Sequence, residues 1–397
     1  MPMARLLLKG LGERTVRGGN AEFSTPAGRS TRDDGCDCHC RMRDRLNLRP
    51  LQVPLLRRRN LLAPMAVFAL LLLSPLSGGR SSRADDAASP LARLELSEKM
   101  EALGGRVLLR LPDGARDEAR QSSIMGAPES SDGESRFVIT AGDDRMVVMV
   151  WELFALAPDD LLAGVKAELG GEAADSELSP FQTADPAIRA VRSRPKQPVV
   201  DNNAVLIDSA FLSLADGTVL SIGVYVNQPA FADLSGVQAL ATGIFGSIQG
   251  GTRVLDRQAG PRTLGELTMT VPIDVVVSRQ AGPDFTVYLL RKLRRLGGAP
   301  PGTIGVYVGD HPAYIHSRRE YSDLPVTKEK GRLLGREVEW DSWKTAEGMQ
   351  TQEVIEPLDR SHPARQVHVF VTAQDRDIAE VLRRAAESLS PAAPRAI

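Results

Sequence analysis

Four of the five histidines of the chain lie in its second half, at positions 311, 316, 362 and 368. An imidazole can transfer a proton near neutral pH, so these side chains are the first candidates for acid–base chemistry. His311 and His316 lie five residues apart across Pro312, where the pattern indicates a turn and then a strand over residues 313–317. Because side chains alternate between the faces of a strand, this spacing favours surface positions over one shared site. His368 stands between two valines and is expected on the solvent-exposed face of another strand.

Aromatic residues near charged groups offer a second kind of site, because such a cluster can form a recognition patch. Trp340 and Trp343 are the centre of this pattern, and the side chains that could join them are Tyr314, Arg318, Arg319 and Tyr321. A simpler interpretation is favoured, in which Trp340 caps a core and Trp343 shields the end of a hairpin. Carboxylates such as Asp208 and Glu353 cannot be paired with a base from the sequence alone. We therefore predict no catalytic residue.

Metal and cofactor binding are also not predicted. Cys36, Cys38 and Cys40 surround His39, and thiolates with an imidazole can in principle hold a soft metal. Their alternating spacing does not match a closed zinc site, and no second pair of ligands follows. A glycine-rich phosphate loop and a Gly-x-Ser-x-Gly nucleophile turn are missing from the sequence.

The clearest motif is an export signal in residues 57–84. Three arginines at 57–59 precede an apolar run over residues 61–76, and small residues lead to a candidate cleavage site after Ala84. The run is shorter than the about 20 apolar residues that a spanning helix prefers, so we predict a signal peptide or, if it is not cleaved, a single membrane anchor. Residues 1–56 have the composition of a disordered segment, or of an extension upstream of the true start near Met42.

Charge is distributed unevenly along the chain. Residues 1–84 contain 15 basic and 6 acidic residues, whereas the remainder contains 34 basic and 44 acidic residues. An acidic body argues against nucleic acid as a partner, because neutralising phosphates requires a basic surface. Contact with a membrane is expected only through residues 61–76.

The same order of elements occurs twice after residue 85. An opening strand ends at residues 112–114, a hairpin follows, and a helix ends at the glycines 170–171. A polar connection then leads to a second hairpin that turns at Asp216-Gly217, and a helix over residues 231–248 closes this half. After a linker over residues 250–261, the second half contains several strands between residues 267 and 372 and a closing helix near residues 375–389.

This pattern predicts an α+β fold of two tandem units, each an antiparallel sheet packed with amphipathic helices. The predicted domains are an N-terminal extension over residues 1–56, the export segment over 57–84, a first unit over 96–250 and a second unit over 262–392.

Several of these pieces resemble the PsbP-like α/β sandwich family, which includes DcrB-like envelope lipoproteins. The similar parts are the turn Leu111-Pro112-Asp113-Gly114 after the first strand, and a last strand followed by a helix that ends at residues 246–248 in one unit and 387–389 in the other. The second unit departs from the pattern, because Pro272 is not followed by Asp-Gly. The resemblance implies two tandem copies with a binding or assembly role and supplies no catalytic residue.

Two functions follow as hypotheses. The favoured one is an exported, non-catalytic binding or assembly module, held in the periplasm or outside the cell, with a protein of the cell envelope as its partner. The alternative is an envelope hydrolase with a site between the two units that uses His311, His316 and neighbouring carboxylates. An enzyme should show a deep pocket with convergent polar groups, and a binding module a shallow apolar patch.

Overall fold

The computed structural model describes residues 89–118, 133–201, 204–231, 233–282, 284–299 and 302–392. The extension 1–56 with its cysteines, the export segment 57–84 and the cleavage site after Ala84 lie outside these residues. The prediction of an α+β fold is wrong, because strands make up 52% of the structure and helices 17%. The transmembrane assignment is not retained either. Within the described ranges no helix is long and apolar enough to cross a membrane, and residues 61–76 lie outside them.

The first unit combines a small sheet, a large antiparallel sheet and short helices. Its strands are β1 (Leu96–Ala102), β2 (Val107–Pro112), β3 (Arg116–Asp117), β4 (Glu134–Ala141), β5 (Asp144–Leu156), β6 (Ser176–Phe181), β7 (Arg189–Pro195), β8 (Val199–Asp201), β9 (Ala204–Ser213), β10 (Thr218–Asn227) and β11 (Gln249–Gly250). Its helices are α1 (Leu161–Leu169), α2 (Gln228–Phe231) and α3 (Leu234–Gly246), with 3₁₀ turns at Pro90–Arg93 and Gly170–Asp175.

The second unit also combines a small sheet with a large antiparallel sheet, but its described residues contain a single helix. Its strands are β12 (Gly260–Leu264), β13 (Leu267–Val271), β14 (Val275–Ala281), β15 (Phe285–Lys292), β16 (Arg294–Arg295), β17 (Thr303–Gly309), β18 (Thr327–Leu333), β19 (Arg336–Lys344), β20 (Gln350–Asp359), β21 (His362–Ala373) and β22 (Ser390–Pro391). Its helix is α4 (Arg376–Glu387).

Local signals explain why the helices and hairpins form where they do. The carboxylates of Asp160, Asp233 and Asp375 accept hydrogen bonds from backbone N–H groups in the first turns of α1, α3 and α4, as N-cap residues do. Gly217 has a φ of 77° in the turn that joins β9 to β10, a backbone conformation that glycine adopts without steric cost. The turn at Asp216-Gly217 predicted from the sequence is confirmed, and helices form within or next to the three ranges predicted for them.

Two other predictions of local structure are wrong, and the first of them explains part of the high strand content. The polar connection after α1 forms β6, β7 and β8, because strands near the edge of a sheet tolerate polar side chains on their solvent face. Residues 313–317, expected to form a strand, are bends and turns or have no regular structure. Their backbone is instead bound by a buried carboxylate, which is described below.

The two units share one topology. The large sheet has the order β3-β4-β5-β10-β9-β7-β6 in the first unit and β14-β15-β17-β21-β20-β19-β18 in the second. The small sheets, β1-β2-β11 and β12-β13-β22, each join an opening hairpin to the strand that follows the closing helix. In each unit the main core lies between the large sheet and the layer formed by the small sheet and the closing helix, α3 or α4.

The units also contact each other directly. Strand β16 pairs in parallel with the end of β5, with Arg294 opposite Ala155 and Arg295 opposite Leu156. Leu296 packs with residues of α1. Phe154, which projects from a bulge in β5 with a φ of 49°, packs with apolar side chains of the second unit. The second unit therefore extends the sheet of the first.

Candidate functional site

Most of the candidate residues of the second unit gather on one face of its large sheet, the face opposite α4. The connection between β17 and β18, residues 310–326, crosses this face, and we call it the strap. Ile315 and Tyr321 of the strap pack against Trp343 of β19 and Phe370 of β21, and all four side chains are buried. Burial of the apolar surface of these side chains holds the strap on the sheet.

A buried carboxylate holds the strap at its centre. The side chain of Glu353 is fully buried, and its two oxygens accept hydrogen bonds from the backbone N–H groups of Ile315, at 2.7 Å, and His316, at 2.9 Å. Oε2 of Glu353 also contacts Nε2 of His368 at 2.8 Å. An unpaired carboxylate would be costly here, so these contacts both satisfy Glu353 and determine the position of the strap.

A polar row continues from this pair across the sheet. Lys328, Asp341 and Glu353 are cross-strand neighbours on β18, β19 and β20. Lys328 and Asp341 form an ion pair, and the hydrogen bond to Asp341 raises the pKa of Lys328. Tyr314 of the strap lies over the row, with its ring centroid 6.2 Å from that of His368. Burial and the charges of Asp341 and Glu353 raise the pKa of Tyr314.

The chemistry open to this row is limited by its burial. A carboxylate can orient an imidazole for acid–base work, and Glu353 with His368 has that geometry. However, His368 is 5% exposed and lies beneath the strap. The expectation that His368 faces solvent is therefore wrong, because the strap covers its side of the sheet. A substrate would have to displace the strap before it could reach this imidazole.

The structure does not bring His311 and His316 together, although the hydrolase alternative requires both in one site. Nε2 of His316 is 3.1 Å from the carbonyl oxygen of Leu324, and its ring packs against Trp343 at 5.3 Å between centroids. His311 is exposed at the start of the strap. Among the described residues, no hydrogen bond or ring contact joins these two histidines. The contacts between the units involve other residues, such as Arg294, Leu296 and Phe154.

The two tryptophans face opposite sides of β19 and do not form one recognition patch. Trp340 is fully buried in the main core of the second unit, where the guanidinium of Arg383 on α4 lies 4.8 Å from its ring. Trp343 packs under the strap. Tyr314 and Arg319 are exposed, whereas burial lowers the pKa of Arg318. Trp340 thus belongs to the main core of the second unit, and Trp343 belongs to the separate apolar contact under the strap.

Asp208 occupies a second buried charge site, in the first unit. It accepts hydrogen bonds from the guanidinium groups of Arg192 and Arg194, both on β7. Arg192 lies close to this carboxylate, with Nε 2.9 Å from each of its oxygens, and also donates to Thr242 of α3. Arg194 is more distant, at 3.2 to 3.4 Å.

An open groove lies beside this charge site. It is bordered by the start of β6, the end of β7, the start of β9 and the helices α2 and α3. We call it the unit 1 groove. It has a volume of about 180 Å³, and its walls include Arg194, Lys196, Leu206, Phe231, Leu234 and Gln238. Val199, on the neighbouring strand β8, pairs directly with Leu206, and both Val199 and Val200 are exposed. The groove therefore has an apolar wall and a basic wall, and the exposed valines of β8 directly follow Pro198, which also lines it.

The unit 1 groove escapes prediction from the sequence because its basic wall belongs to the connection expected to be a polar loop. A signal for it exists in the sequence. Val199 and Val200 are β-branched residues followed by Asp-Asn-Asn and then by the apolar run of β9, which is typical of a hairpin. Alternation of Arg192 and Arg194 with Val191 and Ser193 likewise indicates a strand with one polar face.

No group of three His, Cys, Asp or Glu side chains in the described part of the chain is arranged to hold a metal ion. Comparisons of the chain with protein-family models, with curated proteins and with solved structures find no match.

Proposed function

We propose that this protein is an exported, non-catalytic binding or assembly module of the cell envelope, and that the unit 1 groove is the surface that contacts its protein partner. The observation that carries the proposal is the exposed apolar strand β8, which directly follows the groove residue Pro198 and in which Val200 is 57% exposed. An apolar patch beside polar groups is typical of a surface that contacts another molecule. The export motif in residues 57–84 supports the proposed location.

Comparison with other edge strands of the same molecule supports this choice of surface. Strand β18, at the edge of the second unit, carries Lys328 and Lys330, and β6, at the edge of the first, contains Pro180. Charged residues and proline are the usual protection of an edge against pairing with another chain. Strand β8 is only three residues long and ends at Asp201, but of these three strands it is the one that presents two exposed valines.

The internal contacts of the ionisable groups also favour binding over catalysis. Glu353 holds the strap, and Asp208 joins β7 to the sheet through two arginines. These buried carboxylates are paired inside the fold, where loss of either partner would leave an uncompensated charge. The binding role also agrees with what the resemblance to PsbP-like units implies.

Site-directed photocrosslinking in living cells tests the proposal. The full chain with Val200→benzoylphenylalanine is expected to crosslink to one discrete protein in the exported fraction. The matched control is Arg332→benzoylphenylalanine, at an exposed position on β18. Equal crosslinking from both positions, no crosslink from position 200, or recovery of the protein only in the cytosol would contradict the proposal.

A further inference from the structure

We infer that the unit 1 groove binds an extended protein segment in which an acidic side chain lies close to an apolar side chain. The inference deepens the proposed function and rests on it, because it names the chemistry of the partner at the same surface.

The apolar wall sets the size of one side chain of that segment. Leu206, Phe231 and Leu234 come from β9, α2 and α3 and form the apolar part of the wall of the groove, whose whole volume is about 180 Å³. A cavity of about 150 Å³ is known to accept a benzene molecule, so this space fits one aliphatic or aromatic side chain. Val199 lies across from Leu206 and extends the apolar surface toward solvent.

The basic wall of the groove determines which charge is favoured on the neighbouring side chain of the bound segment. Asp208 is held closely by Arg192, whereas Arg194 reaches the same carboxylate only at 3.2 to 3.4 Å and is 33% exposed. One buried carboxylate thus faces two guanidinium groups, and Lys196 adds another exposed positive charge. The exposed Glu177 lies opposite Arg194 on β6 and offsets part of this charge. The local balance stays positive, which favours a carboxylate over a basic group.

The edge of the sheet favours an extended conformation of the segment. Strand β8 pairs with β9, and no other described strand pairs with it. An added strand can form backbone hydrogen bonds along such an edge while alternate side chains enter the groove. Guanidinium groups form charge-assisted hydrogen bonds with carboxylates. Arg194 already contacts Asp208 through Nε and Nη2, so its other N–H groups supply the contact that selects an acidic side chain.

Fluorescence anisotropy with two labelled hexapeptides tests the inference on the full chain. One peptide carries Asp and Leu two residues apart, so that both side chains face the groove in an extended strand, and the other replaces the Asp with Asn. We expect the Asp peptide to bind at least about tenfold more tightly than the Asn peptide, and we expect added salt to reduce that difference. Arg194→Gln should remove the preference, whereas Arg110→Gln, at an exposed arginine on β2, should leave it unchanged.

Far-UV circular dichroism shows whether Arg194→Gln keeps the native fold, and Lys196→Gln provides a second variant of the same wall if it does not. Equal binding of the two peptides, no binding of either at about 1 mM, or an unchanged preference in both groove variants overturns the inference. A crosslink from position 200 together with equal peptide binding would refute the acidic specificity alone. Acid-selective peptide binding without a crosslink in the exported fraction would instead count against the proposed cellular role.

Discussion

The contact between the two units should depend on one buried ion pair, Glu168 of α1 with Arg294 of β16. The guanidinium donates to both carboxylate oxygens, at 2.7 and 2.6 Å, and the backbone N–H of Gly297 donates to the same carboxylate at 2.9 Å. The side chains of Glu168 and Arg294 are 4% and 11% exposed. The perturbation is Arg294→Met, which removes the charge and keeps an apolar stem of similar length.

The magnitude follows from the burial of the carboxylate that remains. Loss of one partner of a buried pair costs about 3–5 kcal/mol, because the other charge is left without compensation. The N–H of Gly297 still contacts Glu168, so we expect the lower end, a decrease of about 3 kcal/mol in the free energy of unfolding. The double variant Glu168→Leu with Arg294→Met leaves no buried charge, and it should be more stable than Arg294→Met alone.

Urea denaturation followed by tryptophan fluorescence measures this effect. The chain has three tryptophans, Trp151 in the first unit and Trp340 and Trp343 in the second. A Trp151→Phe background therefore reports the unfolding of the second unit alone, whereas the protein with all three tryptophans reports both units. The parent protein should unfold in one transition, whereas Arg294→Met should separate the transitions of the two units. A single transition with an unchanged midpoint in Arg294→Met would refute the reasoning.

The same link predicts a dependence on pH. Burial raises the pKa of Glu168, but its hydrogen bonds to Arg294, the charge of that residue and the Gly297 N–H outweigh burial and lower the pKa below its ordinary value of 4.5. A carboxyl group with a lowered pKa in the folded state contributes stability above its ordinary pKa and loses that contribution as the pH falls. Stability of the unit contact should therefore decrease below about pH 4.5, and this decrease should be smaller in Arg294→Met.

Three further predictions concern single side chains. Phe154→Ala should lower the free energy of unfolding by about 3 kcal/mol, because the ring is buried between the units; an unchanged urea midpoint would contradict this packing. Glu353→Gln should loosen the strap and lower the pKa of Tyr321, which burial raises to about 12, in an ultraviolet titration of tyrosinate. The exposed control Glu337→Gln should leave that titration unchanged. An equal result for both variants would argue against the role of Glu353 in holding the strap. Tyr225→Phe should raise the melting temperature, corresponding to about 1 kcal/mol, because the buried hydroxyl has no hydrogen-bond partner among the described residues; a lower melting temperature would contradict it.

Part of the fold is readable from short stretches of sequence. The acidic caps Asp160 and Asp233, the turn at Gly217 and the apolar stripe of the last helix depend on residues only a few positions apart. Their energies are local, so the pattern predicts these elements without knowledge of the rest of the chain. The strands β6, β7 and β8 escaped prediction because their stability comes from pairing with β9 and with one another.

The candidate sites were harder to predict from the sequence than the helices and turns. His368 alternates with valines as a solvent-facing residue would, but its environment depends on the strap, which approaches from more than 40 positions earlier in the chain. Glu353 and His368 lie on different strands, and only the register of β20 with β21 brings them together. The unit 1 groove likewise combines side chains of three strands and two helices.

The sequence by itself determined the export motif, the uneven charge, the helices with their caps and the order of elements that occurs twice. Each of these depends on composition or on neighbours within about one turn of helix or one hairpin. The tertiary structure alone decided that the molecule is mostly β, that the strap covers the Glu353–His368 pair, and that Arg194 and Leu206 border one groove. These outcomes depend on strand pairing and burial between distant segments, and a pattern of hydrophobic residues does not specify which distant segment will cover a given face.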